Sequence, residues 1–159
     1  MAEIVRKYGA APSVIYHEGY KYERQSDGSY VKSALIGSGW VGVDLDGTLA
    51  YYPGNLDNPL EIGRPIPRMV RRVKRMLAEG EDVRIFTARV DGGEGALAAG
   101  DEVGELYRDV AKVRKAIQKW CRKHLGVVLP ITNRKDYGMK RLYDDRAIHV
   151  ERNTGRILG

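Results

Sequence analysis

The run Val41-Gly42-Val43-Asp44-Leu45-Asp46-Gly47-Thr48-Leu49-Ala50 constrains the fold more than any other stretch. Its apolar start reads as a buried strand, and it ends in two carboxylates one residue apart. In an extended chain, side chains two apart share a side, so Asp44 and Asp46 can converge at the strand's carboxyl end. Gly47 permits a sharp turn directly afterwards. Carboxylates so close repel one another, and a divalent cation is the usual way to keep both ionised. An Asp-x-Asp pair alone is commonly no more than an acidic turn. The full string after a buried strand is far more specific, and it predicts a site at the end of a central strand.

The 159 residues suffice for one domain with a sizeable core, and 30% charged with 43% hydrophobic residues fit a globular chain. No apolar run is long enough for a membrane helix, and Met1–Arg6 lacks a signal peptide's apolar core. Cys121 is the sole cysteine, which excludes an internal disulfide and a cysteine-based zinc cluster. A cytoplasmic location is therefore expected, with no membrane partner. The net charge of +6 suits an anionic partner, either a phosphorylated small molecule or a nucleic acid.

Residues 1–39 are expected to form a hairpin-bearing extension that packs on a core of residues 40–159. Asp27-Gly28 marks the turn, between loosely alternating stretches at Tyr20-Lys21-Tyr22 and Tyr30-Val31. Its tyrosines and basic residues could form a nucleic-acid surface, but tyrosines of this kind more often pack on a neighbouring element. Gly37-Ser38-Gly39 reads as a linker. Residues 51–64 are too few for a cap domain and should form a flap over the site. Pro65 and Pro67 start a helix that Gly80 ends, with Met69, Val70, Val73, Met76 and Leu77 on its apolar stripe. Val83–Phe86 is a second strand closing on Thr87-Ala88-Arg89, where a hydroxyl can donate to a bound phosphoryl oxygen.

Five glycines in 90–104 predict a mobile loop. A helix over 105–124 follows, then a third strand over 127–132 that Pro130 assigns to an edge. His124 and Cys121 are too few for a metal site and read as a helix-end His beside a core Cys. Arg141-Leu142-Tyr143 delivers Asp144-Asp145, adjacent acids on opposite sides of the strand. One of them should ligate a cation directly while the other acts through water or positions the first. Residues 147–158 read as a closing hairpin, with His149 packing there or facing solvent.

These signatures, in this order, resemble the four motifs of the haloacid dehalogenase (HAD) superfamily. The Thr87-Ala88-Arg89, Lys135–Met139 and Tyr143–Ala147 stretches are similar to its small capless phage and bacterial members. The resemblance implies an α/β fold: a Rossmannoid three-layer sandwich around a parallel sheet ordered third, second, first, fourth, with no cap domain. It also implies a magnesium-dependent phosphomonoester hydrolase working through an aspartyl-phosphate. Asp44 would be the nucleophile, Asp46 the acid/base, and Thr87 a phosphoryl ligand. Asp44, the backbone carbonyl of Asp46, Asp144 and Asp145 would hold Mg2+, and Thr87, Ala88, Arg89 and Lys135 would line the substrate phosphate.

For the motif III lysine, Lys140 precedes the fourth strand, about 13 Å from the acids, whereas Lys135 follows the carboxyl end of the third. Lys135 is the choice. The usual helix between the third and fourth strands is missing, which leaves one sheet face for residues 1–39 to cover. The alternative is a phosphate- or nucleic-acid-binding protein of this fold with little turnover; the complete acid set favours the enzyme. Basic residues on both helices make nucleic acid a candidate partner, although solvated helix faces are the commoner explanation.

Overall fold

A computed structural model describes residues 13–17, 20–34, 39–54, 58–92 and 109–159. The sheet that carries the acids has four parallel strands: β4 (Trp40–Asp44), β5 (Asp82–Phe86), β6 (Ile131–Thr132) and β7 (Met139–Tyr143). Their order is β6-β5-β4-β7, so the strand bearing Asp44 is central, as expected. Every residue of β4 is buried. Register pairs Trp40 with Asp82 and Asp44 with Phe86, so Val41, Val43, Val83 and Ile85 share one face.

That face carries the main core. Helix α1 (Pro67–Ala78) opens with proline at its first turn, where no amide partner is needed, and closes at Gly80, whose φ is 80°. Helix α2 (Val110–Leu125) is capped by Asp109, whose carboxylate accepts from the Lys112 N–H at 3.1 Å, and closes at Gly126 in the left-handed region. Val73, Met76, Leu77, Val113, Ile117 and Leu125 join the sheet's apolar residues in a single cluster. Cys121 lies within it, fully buried, its thiol pushed up to about 12 by burial. His124 packs against Trp120 at the helix end, its ring tilted 51° and 4.7 Å away between centroids.

Among the described residues no helix covers the opposite face. The chain from Thr132 to Met139 crosses it instead. Trp40 is 2% exposed and points to this side, where its indole N–H donates to Asp136 at 2.7 Å and Arg84 lies over its ring at 4.9 Å. The Trp40 backbone N–H donates to Gly138 at 2.7 Å. A segment this short has no room for a helix, and it uses polar contacts to seal one large aromatic.

The third strand is shorter than the sequence predicts. Only Ile131–Thr132 pairs with β5; Pro130 has no N–H to donate, though its carbonyl accepts from Ile85 at 2.8 Å. Val128 instead bridges Ile15. Ile15 belongs to an antiparallel meander of β1 (Val14–His17), β2 (Tyr20–Arg24) and β3 (Tyr30–Ala34). Ile15 and Tyr22 bury Val128 from one side, while Tyr16 enters the main core. The described part of the extension thus docks at Val128, ahead of β6, and sends Tyr16 into the main core. A hairpin of β8 (His149–Val150) and β9 (Ile157–Leu158) follows the acids, with His149 exposed. The linker at 37–38 and residues 93–108, including the start expected for the second helix, lie outside the described residues.

Candidate active site

β4 delivers Asp44 to the carboxyl end of the sheet with 5% of its surface exposed. Burial first, then the carboxylates of Asp144, Asp46 and Asp145, push its pKa up to about 7. Its Oδ2 is buried and lacks a hydrogen-bond partner among the described residues. β7 brings two more acids alongside, so that oxygens of Asp44, Asp144 and Asp145 all lie within 4.8 Å of one another.

The two β7 acids are held in place locally. Asp144 accepts from the Arg146 N–H at 2.7 Å. The Thr48 hydroxyl accepts from the Asp145 N–H at 3.0 Å and faces Asp145 Oδ1 at 3.2 Å, which joins the loop after β4 to the end of β7. Gly47 is required on two counts. Its φ is 91°, and a Cβ there would lie 2.7 Å from Asp145 Oδ2. Three converging carboxylates around a buried orphan oxygen fit a hard divalent cation that prefers oxygen ligands.

Asp46 is engaged elsewhere. Arg89, 2% exposed, grips it bidentately: Nε donates to Oδ2 at 2.7 Å and Nη2 to Oδ1 at 2.8 Å. The remaining Nη1 donates to the Pro59 carbonyl at 2.6 Å. One guanidinium therefore ties Asp46 to the chain that returns from the flap. That flap is closed by Tyr51 N–H to Arg64 O at 2.8 Å and Ile66 N–H to Leu49 O at 2.9 Å, and Trp120 Nε1 holds Gly63 O at 2.9 Å.

Thr87 is 2% exposed and lies one residue beyond the register partner of Asp44. Its hydroxyl oxygen accepts from the Arg89 N–H at 3.2 Å, which caps the short 3-10 turn Ala88–Val90 and aims Arg89 inward. Its backbone N–H donates to Thr132 O at 2.9 Å, so the end of β6 sits beside it.

No protein-family model matches this chain, and no curated protein matches it. Among solved structures, a conserved protein from Bacteroides thetaiotaomicron is similar at 18% identity over 70% of this chain and 78% of that one, with a TM-score of 0.40. A likeness at that level does not establish a shared fold.

Of the residues singled out in the sequence, the structure gathers Asp44, Asp144 and Asp145. It turns the Asp46 side chain toward Arg89, and Ala88 lies exposed next to that arginine. Lys135 is exposed in the crossing segment and forms no ion pair among the described residues. Lys140 pairs with Glu81, which precedes β5, and so lies at the other end of the sheet. Sequence reasoning missed the Thr48–Asp145 link and the Arg89–Asp46–Pro59 clamp. The first follows the acid motif directly and had a local signal in Gly47-Thr48. The second joins residues 43 positions apart, and nothing local marks it.

Proposed function

We propose that this chain is a phosphomonoester hydrolase of the HAD type, acting through an aspartyl-phosphate on Asp44. One observation carries the reading: a buried carboxylate with an orphan oxygen at the end of the central parallel strand, faced by two acids from the adjacent strand. The strand order is the one that the four motifs imply. Asp44 attacks phosphorus in line, forming an O–P bond as the bond to the leaving oxygen breaks. Asp46 protonates the leaving oxygen, then takes a proton from the water that hydrolyses the acyl phosphate. The Arg89 fork holds Asp46 at a fixed angle for both steps. Thr87 keeps its hydroxyl proton available for a phosphoryl oxygen, and Lys135, three residues past the Thr87 neighbour Thr132, supplies the offsetting positive charge. Asp44, Asp144, Asp145 and the Asp46 backbone carbonyl would hold a magnesium ion, which would supply further neutralisation of the phosphoryl oxygens.

The test is hydrolysis of p-nitrophenyl phosphate with magnesium and with EDTA, by the native chain and by Asp44→Asn. Turnover by the native chain with magnesium alone, loss of it in Asp44→Asn, and phosphoryl label trapped on Asp44 are the expected results. Native-rate turnover by Asp44→Asn excludes the nucleophile. The full engagement of Asp46 by Arg89 favours one rival, a phosphate-binding protein of the same fold. Magnesium-dependent binding of inorganic phosphate without any turnover would select that rival.

A further inference from the structure

Helix α1, PRMVRRVKRMLA, contains no acidic residue. Arg68, Arg71, Arg72 and Arg75 fall at i, i+3, i+4 and i+7, which places them on one stripe, opposite the buried Val73, Met76 and Leu77. All four are exposed, and none forms an ion pair among the described residues. This arrangement works against the helix. Like charges four apart repel, and Arg68 sits in the first turn, where the helix dipole favours anions. Helix α2 is likewise free of acids between Val110 and Leu125, and Lys115, Lys119 and Lys123 are exposed at i, i+4 and i+8. The two helices adjoin, and Lys74 of α1, which lies off the arginine stripe, acts with Lys123 on His124 of α2, whose pKa is lowered by burial first. The basic face also reaches the acid site. The Arg72 guanidinium lies 5.4 Å from the ring of Tyr143, the residue before Asp144.

We infer that the joint outer face of α1 and α2 binds the sugar-phosphate backbone of a nucleic acid, and that this face leads a phosphorylated strand end to the Asp44 site. The first half stands on the charge pattern alone; the second rests on the proposed phosphatase reading. A polyanion of regular spacing offsets the repulsion along both stripes, which isolated small phosphates cannot do. Exposed Tyr52 at the flap, and the face of Tyr51 away from Arg64, which lies 4.9 Å from its ring, offer surfaces on which a terminal base can stack.

The experiment uses the full chain and a short fluorescein-labelled DNA duplex with a terminal 3′-phosphate, followed by anisotropy in EDTA so that nothing is hydrolysed. With seven phosphates neutralised, one by each stripe cation of α1 and α2, affinity should fall about 6,000-fold from about 50 to about 200 mM salt. Replacing Arg68, Arg71, Arg72 and Arg75 by Gln should flatten the log–log salt slope by about 3.6. The same variant should retain native p-nitrophenyl phosphate turnover and a melting temperature at least equal to the native one. The double variant Arg71→Gln/Arg75→Gln serves if the fourfold change disturbs folding, with about half the change in slope. Absence of duplex binding at low salt, an unchanged slope in the variants, or tighter binding to phosphatidylserine vesicles than to the duplex overturns the inference. A chain inert toward p-nitrophenyl phosphate that still binds the duplex overturns only the phosphatase reading.

Discussion

Asp44 makes the stability of the metal-free protein depend on pH. Its pKa rises from an ordinary 3.8 to about 7 on folding, so between these values the folded chain keeps a proton that the unfolded chain has released. Stability should therefore be greatest below the lower value and decline as pH rises through the upper one, by roughly 4 kcal/mol at most. In EDTA, melting temperatures of the native chain should fall across this window while those of Asp44→Asn fall less. Magnesium should restore the native value at pH 8 and do little at pH 5. Parallel profiles for the two proteins would show that Asp44 carries no such cost. Arg89 presents the opposite case, a buried cation with each of its three nitrogens hydrogen-bonded. Truncating it to Ala leaves Asp46 and the Pro59 carbonyl unpaired, at a cost of about 3 kcal/mol or more. Arg89→Lys should recover little of this, because an ammonium cannot reproduce the fork. Urea midpoints of the three proteins measure the order, and full rescue by Lys would rule out the clamp.

At the scale of elements, side-chain ends fill the space beside Gly42 on the second face of the central strand. A Cβ on Gly42 would lie 2.9 Å from Leu142 Cδ1 and 3.3 Å from both Met139 Cε and Trp40 Cζ3. Gly42→Val should cost on the order of 1–3 kcal/mol through overpacking, and it should disturb the pairing of β4 with β7 that brings Asp144 and Asp145 to Asp44. Loss of turnover out of proportion to the loss of stability is the expected signature. Equal stability and activity in Gly42→Val would mean that this face yields freely. The helices were legible in advance because their apolar residues recur at spacings of three and four: α1 runs Pro67–Ala78 against an expected 67–79. β6 was not, because a run such as Val127–Thr132 is apolar throughout. Periodicity then cannot say which residues pair with β5 and which turn to β1.

Across the whole molecule, the meander and the parallel sheet meet at Val128. Removing residues 1–38 would take Tyr16 from the main core and uncover Val128, with a loss on the order of 5 kcal/mol for Ile15, Tyr16 and Tyr22 together. A chain starting at Gly39 should melt lower than the full chain and associate through the apolar surface bared at Val128, as read by circular dichroism and size-exclusion mass. A truncated chain that stays monomeric with an unchanged melting temperature would reduce the meander to an appendage.

The sequence alone determined the central strand, its terminal acids and the second acid pair, whereas the order of the parallel strands was an expectation resting on the HAD resemblance. The strand and its acids depend on local alternation and on spacing along one chain, which operate between near neighbours. Tertiary structure alone decided that Arg89 closes on Asp46 and Pro59, that Thr48 holds Asp145, and that Asp136 seals Trp40. Each of these pairs a buried or half-buried polar group with one distant in the chain. Such pairing is forced by the cost of leaving a desolvated donor or acceptor unmet, and which partner meets it is fixed only once the strands are side by side.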